Sequence, residues 1–136
     1  MNSTLRNVIA VFVGFVVGSL ANMAIVTIGP YIIPNPEGFD NSSVEVMKET
    51  FHLLEPIHLI VPWLAHALGA LAGSFVAVKF AVSHHLRVGL VVGFLFLLGG
   101  AYMIFSLPST PVWFSILDLV GAYIPMAWLG HKFASK

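Results

Sequence analysis

No cysteine occurs among the 136 residues, which excludes disulfides, thiolate zinc sites, iron–sulfur clusters and dithiol redox chemistry together. Charge is also scarce. Asp, Glu, Lys and Arg make up 9% of the chain, against about 25% in an ordinary soluble domain. So few charges cannot cover a soluble globule whose residues are 58% hydrophobic, and the natural solvent of this chain is lipid. Six basic residues against six acidic ones leave no excess positive charge of the kind nucleic-acid binding needs. There is no Gly-x-Ser-x-Gly elbow, no His-Glu-x-x-His and no phosphate loop. A single acid within the apolar runs argues against a paired-aspartate membrane protease, so the chain reads more as a binding or assembly protein than as an enzyme.

Four apolar runs are present, and they predict an all-α fold, a four-transmembrane-helix bundle in one membrane domain. The spans fall at about 7–28, 56–78, 88–106 and 112–131, each long enough to cross a hydrocarbon core of about 30 Å. Between Arg6 and Glu37 there is no formal charge. Ser19-Leu20-Ala21 resembles a signal-peptide cleavage pattern, but the apolar run continues well past it, so the first span is expected to be retained. Trp113 and Trp128 sit near the two ends of the fourth span, as interfacial anchors do.

The loop charges predict orientation. Arg6, Lys79, Arg87, Lys132 and Lys136 fall at one end of the spans and only Lys48 at the other, which expects both termini in the cytoplasm. The outer loop, 29–55, carries Glu37, Asp40, Glu45, Glu49 and Glu55. Its first part, Tyr31 to Asp40, is punctuated by Pro and Gly and reads as an extended turn. After Ser42 and Ser43, Val44, Met47, Phe51 and Leu54 recur at helical spacing. That predicts an amphipathic helix over about 43–55, lying at the interface or folded over the bundle mouth.

Lipid supplies no hydrophobic force between helices, so close packing falls to small residues. Ala10, Gly14, Gly18 and Asn22 are spaced by four, and so are Ala65, Gly69, Gly73 and Ala77. These ridges are expected to form either the tightest helix pair within the chain or one half of a homo-oligomer seam.

Ionisable residues inside a span are costly and are candidates for function. Taking about 1.5 Å per residue from the outer helix ends, Asn22, His66, Tyr102 and Asp118 lie roughly 12, 15, 9 and 10 Å deep. One polar group per span at a shared depth predicts a common intramembrane site. Pro62 and Pro125 cannot bond the carbonyls of His58 and Gly121, so kinks with freed carbonyls are expected beside it. His58 and His66 are eight residues apart and fall roughly on one helix side, a path from mouth to site. Glu49-x-x-His52 and Glu55-x-x-His58 have the Glu-x-x-His spacing of di-metal carboxylate bundles. Three chemistries remain open here: a zinc or non-haem iron ion held by Glu55, His58, His66 and Asp118, a proton-exchanging His66–Asp118 pair, or a hydrogen-bond network that only fixes helix register. His84, His85 and His131 sit among basic residues and are expected to face lipid headgroups.

Across most of its length the chain resembles uncharacterised small bacterial four-span integral membrane proteins. The resemblance is carried by Pro34-x-Pro36-x-Gly38, Leu64-Ala65-His66-Ala67-Leu68-Gly69, Leu98-Gly99-Gly100 and the run from Leu117 to Met126. It implies a bacterial inner membrane and brings no activity or cofactor with it. The expected function is binding or movement of a proton, ion or small solute at the polar site. The alternatives are an accessory or assembly subunit of a larger membrane complex, working through its small-residue ridges, and a metal-binding membrane protein.

Overall fold

A computed structural model describes all residues, 1–136, and contains helices and no strands. Helix α1 spans Ser3–Ile32, α2 Val44–Thr50, α3 Ile60–Phe80, α4 His85–Ser106, α5 Val112–Gly121 and α6 Ile124–Ala134. Short 3-10 turns cover Phe51–Leu53 and Pro56–Leu59. Four stretches are long and apolar enough to cross a membrane: Ser3–Ile32, Pro56–Phe80, His85–Ser106 and Val112–Ala134. The protein is thus a multi-pass membrane protein built as a four-helix bundle.

Local chemistry sets the helix ends. The Asn2 side chain accepts from the Leu5 N–H at 2.8 Å, starting α1 ahead of the apolar run. At its far end α1 continues through Pro30, four residues beyond the expected limit of the span. At 30 residues it is about 45 Å long, more than a straight crossing needs, which calls for tilt or a protruding end. The Ser43 hydroxyl accepts from Val46 N–H and caps α2. This helix is shorter than the expected 43–55: its last turn tightens into the 3-10 segment Phe51–Leu53 before Pro56, whose ring excludes the residue ahead of it from helix. Span four is not one helix. It breaks between Gly121 and Ile124, because Pro125 has no N–H to give the Gly121 carbonyl, and α6 restarts with that proline in its first turn.

The four spans run alternately up and down, and α3 touches α1, α4, α5 and α6. At one end the Asn7 amide donates to the Ser83 carbonyl and hydroxyl, while its oxygen accepts from Val82 N–H, tying the start of α1 to the α3–α4 turn. Arg6, Lys79, Arg87 and Lys132 belong to this basic end. At the other, acidic end, Met47 and Leu54 pack with Phe51, Leu59, Leu107 and Phe114, so the apolar face of the outer loop covers the bundle mouth.

Between α1 and α3 the two small-residue ridges meet each other. A Cβ on Gly14 would run into the Gly73 carbonyl and the Ala77 side chain, and one on Gly18 into the Gly69 carbonyl and the Phe96 ring. Backbones therefore approach closely along two turns, and neither ridge remains a free face. Below the mouth, the Ser74 hydroxyl donates to the Ala127 carbonyl at 2.6 Å, fixing α3 against α6.

Candidate functional site

A cavity of about 370 Å³ lies beneath the outer loop, at the acidic end of the bundle. That is roughly a dozen water volumes and falls in the range of small-molecule sites. α1 contributes Asn22, Val26 and Pro30, α3 contributes Val61, Pro62 and His66, α4 contributes Met103 and Ile104, and α5 contributes Phe114 and Asp118. Phe39, Met47, Phe51 and Leu54 of the outer loop form its roof. The exposed Asn35 and Asn41 mark its mouth. The cavity is layered, with a polar mouth, apolar walls and a polar floor.

The floor is built from α3 and the broken span. His66 Nδ1 lies 2.7 Å from Asp118 Oδ1, and the Tyr123 hydroxyl donates to Asp118 Oδ2 at 2.9 Å. The His66 and Tyr123 rings stack with centroids 5.6 Å apart. Asp118 is fully buried, whereas the His66 side chain retains 26% exposure toward the cavity it lines. The contact turns Nδ1 to the carboxyl group and leaves Nε2 without a protein partner; on a neutral imidazole bonded to a carboxylate, the proton sits on Nδ1 and Nε2 is the acceptor. Catalytic triads and metal-bound histidines orient an imidazole through the same carboxylate contact.

Two further polar features belong to the residues of the wall. Asn22 Oδ1 is buried without a hydrogen-bond partner, although its residue lines the cavity. Pro30 and Pro62, both in the wall, have no N–H for the carbonyls of Val26 and His58, which belong to residues that also line it. No Lys or Arg lines the cavity. Outside the mouth, Asp40 accepts from the Ser42 backbone N–H at 2.8 Å, which holds its carboxyl below the ordinary carboxylate range and keeps it charged.

Of the polar residues expected at one depth, Asn22, His66 and Asp118 come together. Tyr102 does not: it is 67% exposed on the outer surface of α4. Depth along a helix does not specify rotation, and each residue turns the side chain by about 100°. The tyrosine that does complete the site is Tyr123, 1% exposed, and the sequence reading passed over it. Its position depends on Gly100, where an added Cβ would collide with the Tyr123 hydroxyl.

His58 lines the upper cavity, but its Nδ1 accepts from the Glu55 N–H at 2.9 Å. The Glu-x-x-His spacing there serves a helix start. Glu55 is exposed, and no three acidic or histidine side chains converge as a metal set, so the four expected ligands Glu55, His58, His66 and Asp118 do not form one centre. Glu49 and His52 are likewise exposed. His131, expected among headgroups, instead has its Nδ1 buried without a partner, near Gly89 of α4. No protein-family model, curated protein or solved structure matches the chain, and the functional reading rests on this geometry.

Proposed function

We propose that this is a small integral membrane protein that binds a small solute in the cavity above the His66–Asp118–Tyr123 floor. The observation that carries this is the cavity itself, with apolar walls ending on an oriented imidazole whose Nε2 has no protein partner. Small-molecule sites have this composition: mostly apolar lining with a few placed polar groups. Beneath the floor, Ser74, Ala77 and Val92 are closely packed, which favours a one-sided site over a continuous pore in this conformation.

A six-carbon alcohol, hexan-1-ol, tests the reading in nanodiscs by calorimetry, with partition into empty discs subtracted. Saturable binding is expected. Met103→Trp, which places a large ring in the cavity, is expected to weaken it at least tenfold while the protein still elutes as a single folded species. Equal binding by the variant would sink the proposal.

The positive-inside bias supports an inner-membrane placement with both termini cytoplasmic and the cavity mouth on the opposite side. Because the chain has no cysteine, single-site labelling is clean. In intact cells, Glu49→Cys is expected to react with a membrane-impermeant maleimide and Lys136→Cys only after lysis; the reverse pattern would invert the topology.

A further inference from the structure

We infer that the basic end of the bundle holds one anionic phospholipid, with its phosphate on Arg6 and an acyl chain in the groove that runs from Arg6 along α1. This site lies at the opposite end from the solute cavity and does not depend on it. The groove has a volume of about 180 Å³ and is lined by Arg6, Ile9, Ala10 and Val13 of α1 and by Phe80, the last residue of α3. Positions 6, 9, 10 and 13 share one helix face, so the groove follows the helix axis for about 10 Å, from the start of the span into the hydrocarbon. Ala10 is buried in one cluster with Ala77 and makes the floor, while the exposed Ile9 and Phe80 make the rims. A phospholipid runs in the same direction, phosphate at the water and chain toward the bilayer centre. The shape is held from within: Asn7, next to Arg6, bonds Val82 and Ser83 just past Phe80, which fixes the start of α1 against the end of α3.

Charge selects the headgroup. Arg6 is exposed and has no carboxylate partner, since the one ion-pair contact of the protein is His66–Asp118. Lys79 and Lys132 hold Nζ over the Phe75 and Trp128 rings, at 5.7 and 5.1 Å from the centroids. The Arg6 guanidinium is engaged in neither way, and its two parallel N–H donors match a phosphate. No acid accompanies Arg6, Lys79, Arg87 and Lys132 at this end. A zwitterionic headgroup would bring its own cation into that uncompensated field, whereas a lipid of net negative charge offsets it. A soluble anion would leave Ile9, Val13 and Phe80 uncovered, and an uncharged lipid would leave Arg6 without a counter-charge.

Native mass spectrometry tests the site on the full-length protein, released from nonionic detergent micelles that contain equal amounts of phosphatidylglycerol and phosphatidylcholine. One phosphatidylglycerol per chain is expected to stay bound, preferred at least tenfold over phosphatidylcholine. Arg6→Gln is expected to lower its retention about tenfold. Ile9→Trp, which fills the groove and keeps the arginine, is expected to lower it by a similar factor. Lys132→Gln removes the same charge from α6 and is expected to change retention less than about threefold. Equal retention of the two lipids would overturn the proposal. So would a loss in Lys132→Gln as large as in Arg6→Gln, the mark of a diffuse surface field without a site. Full retention by a folded Ile9→Trp protein would take the acyl chain out of the groove and end the proposal as well. A lipid-free dimer that Ile9→Trp splits would replace the lipid with a second copy of the chain.

Discussion

Asp118→Asn is expected to leave the bundle folded and to keep both hydrogen bonds of the cavity floor, each worth about 1 kcal/mol. An asparagine in this position can keep its oxygen on the Tyr123 hydroxyl, which now donates at 2.9 Å to Asp118 Oδ2. Its NH₂ then faces His66 Nδ1, now 2.7 Å from Asp118 Oδ1. Two donors cannot share that contact, so the imidazole moves its proton from Nδ1 to Nε2. Both hydrogen bonds survive and the fold loses about 1 kcal/mol or less, in keeping with the modest worth of hydrogen bonds inside membranes. With a neutral imidazole, His66 Nε2 at the cavity floor then changes from acceptor to donor. Asp118→Leu makes the contrast: it strands the buried Tyr123 hydroxyl and the His66 N–H and is expected to cost about 2 to 5 kcal/mol of stability. Reversible unfolding in mixed micelles, read beside calorimetry, separates the two. Equal destabilisation by Asn and Leu would show that the network is not arranged as two independent donors on one carboxylate.

The same residues show what a sequence discloses. The spans were legible because solvation energy depends on composition over a window: an uncharged run from Asn7 to Pro36 admits few other readings. Depth was legible as well, since helix rise is constant, and it singled out Asn22, His66 and Asp118. Rotation was not legible, and Tyr102 was misplaced for that reason. Tyr123 was hidden by a different effect. In an unbroken helix it would lie about 140° around from Asp118, five residues back. The break at Gly121–Tyr123 resets the helical phase and turns the ring onto the carboxylate. Pro125 announced a break, but the direction of the restarted helix is decided by the tertiary space that Gly100 leaves open. The Glu55–His58 spacing misled in the opposite sense, because one local pattern serves a metal pair and a helix start equally well, and only His58 Nδ1 bonded to the Glu55 N–H distinguishes them.

Gly14→Val is expected to cause the largest loss of stability of any single change outside the cavity, about 3 kcal/mol or more. Its new Cβ would fall on the carbonyl of Gly73 and on the Ala77 side chain. A carbonyl oxygen held in a helix cannot turn aside as a side chain does, so α1 must move away from α3 along the seam. Gly99→Ala is the control: nothing lies within 4 Å of its Cβ position, and the gain in helix propensity is worth about 0.5 to 1 kcal/mol in the stabilising direction. The consequence reaches the cavity, because Gly14, Gly18 and Asn22 lie on one ridge, four residues apart. A Cβ on Gly69 would touch Asn22 Cβ, so the seam that brings the two backbones together also places Asn22 at the cavity wall. A Gly14→Val protein that remains folded in lipid is therefore expected to bind hexan-1-ol at least tenfold more weakly, although the substitution is two helical turns from Asn22. Unchanged binding in a folded variant would show that Asn22 is positioned by its own surroundings and not by the ridge.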